Sequence, residues 1–416
     1  MKITDLWNSW SKFWFALTSP LPIALFRIFV GALLLQVLLA QVGSDYMAWY
    51  GPNGIIPVAS IKHNWWFDAP RFDIFFILPR TELGAQIFYI VYLAALICLT
   101  VGFGTKYATI MVAMCNISMH NQQPFSLNGG DAILRIYSLY LVFSDCGAAW
   151  SVDSLIRRFK NPEAYEKRFL VPILGARLVQ VQLCISYCTT MCFKIVGPQW
   201  LNGTAVYYAT RLQDLAKYNL PFHLFDNLLF LKLLTWSTLV IETSMFTLVW
   251  ILELRYWVLA SAIMLHLGID YTINLPVFEW AFMAGYITFV SGEDLEKFIA
   301  KLRLFAGNCF GSLKTLEYSL ASPRSYSLAR LIEGLDFLGR LELKPLEEEE
   351  MKGSLITING ISDPSFLFEQ LVSTLPVFWL LYPLAKIITA RARAQISDKQ
   401  GSTHNNLNRL QFELNQ

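Results

Sequence analysis

The sequence predicts a mostly α-helical fold: a polytopic transmembrane bundle of about eight spans, followed by a small C-terminal α/β domain. Three observations lead there. Of the 416 residues, 55% are hydrophobic and only 15% are charged. Several apolar runs are long enough to cross a bilayer. Beyond Val290 the pattern turns polar, with short strand-like runs between turn signals. A net charge of +2, from 33 basic and 31 acidic side chains, gives no sign of a nucleic-acid partner. The basic residues matter by position, as topology signals.

Taken in order, residues 1–19 read as an interfacial helix with Trp7, Trp10 and Trp14 near one face and no cleavable signal. Residues 20–295 are the membrane domain. Its first span, residues 23–42, carries Arg27 near its start, where the guanidinium either snorkels to the headgroups or pairs inside the bundle. A long loop over residues 43–81 follows, with a Tyr50-Gly51-Pro52 turn and interfacial anchors at Trp65, Trp66, Phe67, Phe72, Phe75 and Phe76. Spans two and three, residues 83–101 and 107–120, form a hairpin through the turn at 102–106. Asn128-Gly129-Gly130-Asp131 then opens a fourth span, residues 132–150. Asp131 and Arg135 share its face, so they pair or serve a site.

Residues 151–168 hold Arg157, Arg158, Lys160, Lys167 and Arg168, and the positive-inside rule puts this loop in the cytoplasm, together with both termini. The loop at Asn128 and the connection 194–230 fall on the opposite side. Between these lies the stretch around which the chain is organised, residues 177–208. It is an apolar helix with Gln180, Gln182 and three cysteines, and it delivers Lys194 to a turn-rich mouth at the bilayer edge. Cys184, Cys188 and Cys192 share a face, but without a nearby histidine they read as packing residues rather than a metal site. Lys194 has two readings, a base in an apolar pocket or a snorkelling terminal lysine. Glu242 in the sixth span (231–250) and His266 in the seventh (256–271) lie at comparable depth, as a structural pair or a proton relay. An eighth span covers residues 274–290.

Residues 296–395 form the small domain, with strands at 302–305 and 353–358 and a turn into a helix at 307–312. The apolar run 366–388 reads as soluble-domain helices or an interfacial pair, because a span there would carry Arg391 and Arg393 outward. Residues 396–416 form a polar tail, expected to be disordered.

Residues 20–290 resemble the HTTM family, the membrane domain of vitamin K-dependent gamma-carboxylase. The resemblance rests on Leu25-Phe26-Arg27, Tyr50-Gly51-Pro52, Asn128-Gly129-Gly130-Asp131, Trp150-Ser151-Val152-Asp153, and on Tyr187, Lys194, Trp200, Gly203, Thr204 and Ala205. Residues 301–395 resemble the DCC family of thiol oxidoreductases, a thioredoxin-like fold, in a degenerate form. Cys309 stands at the first cysteine of the Asp-x-x-Cys-x-x-Cys motif, while Ala306 replaces the aspartate and Ser312 the second cysteine.

The resemblance implies an integral membrane enzyme that acts on a hydrophobic small molecule or lipid, with a reduced quinone as cofactor. Lys194 would be the base that starts oxygenation, with Glu242 and His266 beside it and Asn128, Asp131, Arg135, Tyr187 and Trp200 holding substrate. A histidine that the carboxylase has near the Asn128 position is absent here, as is its large lumenal domain, and both departures argue against peptide carboxylation. The alternative is a non-enzymatic scaffold or export helper. Cys309 is a redox candidate, but without a resolving cysteine the domain works with a separate thiol or serves as a docking module for a protein partner.

Overall fold

The computed structural model describes residues 3–56, 72–161, 169–218, 225–310, 313–347 and 354–393. Two compact units make up the chain, residues 1–153 with 169–295 and residues 154–168 with 296–416. In the first, α1 (Ile3–Phe15) exposes Trp7 and Trp10 as an interfacial helix should. β1 (Leu17–Thr18) pairs antiparallel with β2 (Val171–Pro172). The first long helix, α2 (Leu21–Gln36), does not stop at residue 42 as predicted. It runs on through a π-helical turn (Val37–Val42) and a 3-10 turn into α3 (Tyr46–Tyr50). Aromatic packing extends it: Tyr46 donates to Ala85 O at 2.9 Å, and Tyr50 stacks on both Tyr46 and Phe75. Phe75 is therefore a core residue rather than an interfacial anchor. Trp65, Trp66 and Phe67 lie outside the described residues.

α4 (Glu82–Val101) and α5 (Thr105–Gln122) form the expected hairpin through Gly102 and Gly104, both at positive φ. Asp153 caps the start of α5 from a distance, accepting from Gly104 N at 2.8 Å and from Thr105 N and Oγ1, each at 2.7 Å. α6 (Gly129–Val142) ends eight residues before the predicted boundary. Residues 143–151 turn back there, and Gly147 lies so close to Thr105 that a Cβ would sit 2.6 Å from its Oγ1. That return brings Trp150 O within 2.5 Å of Arg27 Nη2. Arg27 is fully buried, so it pairs inside the bundle and does not snorkel.

After α7 (Val152–Lys160) come α8 (Leu174–Lys194), the short α9 (Pro198–Leu201) and α10 (Ala205–Ala209), then α11 (Leu228–Thr247), α12 (Leu252–Thr272) and α13 (Phe278–Tyr286). Among the described residues, four helices are long and apolar enough to cross a membrane: Leu21–Tyr50, Glu82–Val101, Leu228–Trp250 and Leu252–Thr272. The other expected spans are shorter or more polar. α5 and α8 are long but carry inward-turned polar residues such as Asn116, His120, Gln180 and Gln182, and α6 spans only about 21 Å at 1.5 Å per residue.

In the second unit, α14 (Gly292–Phe310) occupies the region predicted to begin with a strand, so residues 302–305 are helical. A four-residue apolar run does not tell strand from helix by periodicity. β3 (Lys314–Ser319), α15 (Pro323–Leu335) and β4 (Leu341–Leu346) make a parallel βαβ unit, and β5 (Ile356–Ile358) joins antiparallel, in the order β4-β3-β5. The small α/β domain is therefore present. α16 (Pro364–Thr374) is broken at Pro376, followed by a 3-10 turn (Pro376–Leu381) and a helix over residues 382–393. The apolar run thus belongs to the second unit, as broken helices. Cys309 is exposed in the last turn of α14, next to helix C-terminal carbonyls. The expected place at a helix start, where amide dipoles stabilise a thiolate, is not the one it occupies.

Candidate active site

Lys194 closes α8, and its Nζ forms an ion pair with Glu242 Oε1 of α11. The sequence expectation joined Glu242 to His266, so the partner is different. His266 of α12 bonds through Nδ1 to Glu279 of α13, and its Nε2 lies 2.7 Å from Tyr187 Oη of α8. Tyr187 Oη also contacts Tyr286 Oη. Helix spacing explains the choice of partners. Tyr187 and Lys194 are seven residues apart on α8, so they share a face two turns apart and each reaches a different neighbour. Thr190 lies between them, its hydroxyl 3.0 Å from Tyr187 O and 3.4 Å from Glu242 Oε2.

The inner cluster is sealed. Glu279 is 0% exposed, and His266, Tyr187 and Tyr286 are 4%, 3% and 3%. With Glu279 ionised, His266 donates from Nδ1, accepts at Nε2 from Tyr187, and Tyr187 in turn accepts from Tyr286. That assignment gives every polar hydrogen in the row an acceptor. The outer pair is more open, with side-chain exposures of 20% for Lys194 and 9% for Glu242. Trp200, expected as a substrate contact, covers the amine, with Nζ 4.7 Å from its ring centroid. A cation over an indole face is attracted by the ring quadrupole.

Glu242 sits about 21 Å along α11 from Leu228, some two-thirds of the way down that helix, and the ion pair brings Lys194 Nζ level with it. Residues 198–209 run beside the first half of α11. Trp236 Nε1 donates to Leu201 O at 3.3 Å, and Val206 N donates to Thr235 Oγ1 at 3.2 Å. Gly203, at φ 82°, has no room for a Cβ, which would lie 2.6 Å from Lys232 Cγ. These bonds tie the irregular segment to α11.

Other expected site residues are engaged in ties. Asn128 and Asp131 cap α6 reciprocally: Asn128 Oδ1 accepts from Gly130 N at 2.6 Å, and Asp131 Oδ2 accepts from Asn128 N at 2.9 Å. Asn128 Nδ2 also donates to Pro276 O at 3.1 Å, binding α6 to the segment before α13. No ion pair joins Asp131 to Arg135 among the described residues; the capping box takes the carboxylate instead. Cys184 Sγ lies 3.6 Å from Met245 O, while Cys188 and Cys192 are exposed, so the stripe does not converge on one point. Among the described residues no group of three His, Cys, Asp or Glu side chains is placed to hold a metal. Glu279, Tyr286 and Thr190 were missed from sequence. Glu279 carried the signal that flagged Glu242, a lone acid in an apolar run.

Compared with known protein families, residues 15–293 match the family model described as HTTM domain. No curated protein and no solved structure matches the chain.

Proposed function

Since the chain belongs to the HTTM domain family, we propose that it is a membrane enzyme in which Lys194 and Glu242 together remove a proton from a lipophilic, quinone-like or lipid substrate. The observation that carries this reading is the pair itself, an amine and a carboxylate in contact beside an apolar, span-length helix, with the amine over an aromatic ring. Two routes lead to one state. Glu242 takes the proton while Lys194 stabilises the anion left behind, or a neutral Lys194 takes it beside a protonated Glu242. Both end with an ammonium, a carboxylic acid and a substrate anion, so the pair acts as one base. The low dielectric strengthens the attraction between that ammonium and the new anion.

Trp200 offers a flat apolar face to a ring or chain. A reduced quinone fits this donor set, because amine, carboxylate and indole match a flat ring with weakly acidic hydroxyls, and when bound it would supply electrons. Thr190, between the backbone carbonyl of Tyr187 and Glu242 Oε2, holds the carboxylate beside the turn of α8 that carries Tyr187. The site is read as opening on the extracytoplasmic side, with both termini cytoplasmic, from the clustering of Arg157, Arg158 and Lys160. The second unit is read as a docking module, since Cys309 has Ser312 where a resolving cysteine would stand.

The test is function in cells, with bound molecules identified by mass spectrometry in the purified protein. Lys194→Ala and Glu242→Gln should accumulate in the membrane yet abolish function, and the wild type should carry a quinone or lipid that both variants lose. Full function in Lys194→Ala would sink the enzyme reading. It would favour the second one, a membrane scaffold, which is supported by the sealed Tyr187, His266 and Glu279 row tying three helices together.

A further inference from the structure

The second unit holds a cavity and an apolar stripe that the proposed reaction leaves unused. The cavity, of about 240 Å³, is lined by Lys314, Leu338, Arg340, Ser373, Thr374 and Trp379. It sits at the amino end of the parallel strands. Lys314 opens β3, Arg340 immediately precedes β4, and Lys314 N donates to Arg340 O at 3.0 Å. The register therefore brings two cations to one edge. Lys314 Nζ donates to the neutral Ser373 Oγ at 3.1 Å, and Arg340, only 6% exposed, donates to Ala306 O at 3.2 Å. Burial, then the Arg340 charge, hold the Lys314 ammonium below the usual lysine range, while Glu369 pulls partly the other way. The carbonyl end of α16 offsets part of the positive charge, although Ser373 O already accepts from Trp379 Nε1 at 3.3 Å. The cavity is thus lined by two basic side chains and an indole.

Trp379 also borders the stripe. Val377, Leu380, Leu381, Leu384, Ile387 and Ile388 are all exposed, Leu380 to 94%, whereas Ala385 and Thr389 are buried. Residues 376–393 include Lys386, Arg391 and Arg393 and no acid. Arg393 lies 3.9 Å from Glu369, and an apolar stripe bordered by Lys386, Arg391 and an indole suits the headgroup region of an anionic leaflet. We propose that this unit binds an acidic phospholipid, its phosphate in the Lys314 and Arg340 cavity and its acyl region against the stripe from Val377 to Ile388. A terminal phosphate, as in phosphatidic acid, matches two cations, whereas a choline headgroup adds a third positive charge.

The full chain, purified in dodecyl maltoside, is titrated calorimetrically with dioctanoyl phosphatidic acid, dioctanoyl phosphatidylcholine and inorganic phosphate. Saturable binding is expected for phosphatidic acid, with the other two weaker by about tenfold or more, equivalent to about 1.4 kcal/mol. Lys314→Gln should weaken phosphatidic acid by a similar factor. Leu380→Ser with Leu384→Ser, which alters only exposed side chains, should also weaken it while leaving inorganic phosphate unchanged. Inorganic phosphate binding as tightly as the lipid would assign the cavity to a soluble anion and overturn the proposal. Unchanged lipid affinity in the double variant would overturn it as well, and this arm decides the matter even if Lys314→Gln fails to fold.

Discussion

Breaking the Lys194 and Glu242 pair from either side should cost unequal amounts, because the two partners are left in different surroundings. Removing one member of a buried pair costs about 3–5 kcal/mol, whereas replacing both with apolar side chains is close to neutral. Lys194→Met strands a carboxylate that is 9% exposed, with Thr190 Oγ1 at 3.4 Å as its nearest hydrogen-bonding side chain. About 3 kcal/mol is expected there. Glu242→Leu strands an amine that is 20% exposed, lies over the Trp200 ring and sits on a flexible stem. Relief from water and ring should hold that cost to about 2 kcal/mol. The double variant should lose about 1 kcal/mol or less, which leaves a coupling energy of about 4 kcal/mol. The assay is equilibrium unfolding in mixed dodecyl sulfate and dodecyl maltoside micelles, read by tryptophan fluorescence. Additive losses, or a larger loss from Glu242→Leu than from Lys194→Met, would refute the reasoning.

Three further outcomes are expected. Gly285→Ala places a Cβ 2.2 Å from Tyr137 Oη and 2.7 Å from Leu183 Cδ1, so overpacking should cost about 1–3 kcal/mol in the same unfolding assay. For topology, Asn161→Cys should resist an impermeant maleimide added outside intact cells while Asp214→Cys reacts, and the reverse pattern would invert the orientation. Lys314 gives a pH signature. Its folded pKa is lowered, first by burial, so the associated stability is present above the unfolded value of about 10.4 and is lost as pH falls through the folded value. Lys314→Met should therefore gain most relative to wild type near neutral pH, and thermal melts should show that gain shrinking toward pH 10.5.

Much of the membrane unit is legible in the sequence because each long apolar run must be a helix in lipid, whatever its neighbours are. The four helices long and apolar enough to cross a membrane are of this kind. The choice of partners is not legible, because it depends on which residues of separate helices come level. Glu242 and His266 have comparable depth in sequence, yet α8 offers Lys194 to one and Tyr187 to the other, and Glu279 takes the remaining imidazole nitrogen. The motifs were readable as signals but not as roles. Asn128 and Asp131 form a capping box, and Asp153 caps a helix that begins 48 residues earlier in the chain. In the second unit, residues 302–305 carry too short a pattern to choose between strand and helix.

The bond from Arg27 to Trp150 O joins residues 123 positions apart, and that separation bears on how the protein is made. An arginine within a helix entering the membrane carries a penalty that reaches about 2.5–3.5 kcal/mol at the helix centre on insertion scales and is smaller toward the start, where Arg27 lies. At roughly 5–20 residues per second, the carbonyl that relieves it emerges about 6–25 s after Arg27 does. Over that interval the first span is held in the bilayer by its other residues alone, or waits at the insertion machinery. Synthesis stopped short of Trp150 should leave a first span that a high-pH wash extracts more readily than the same span in the full-length protein.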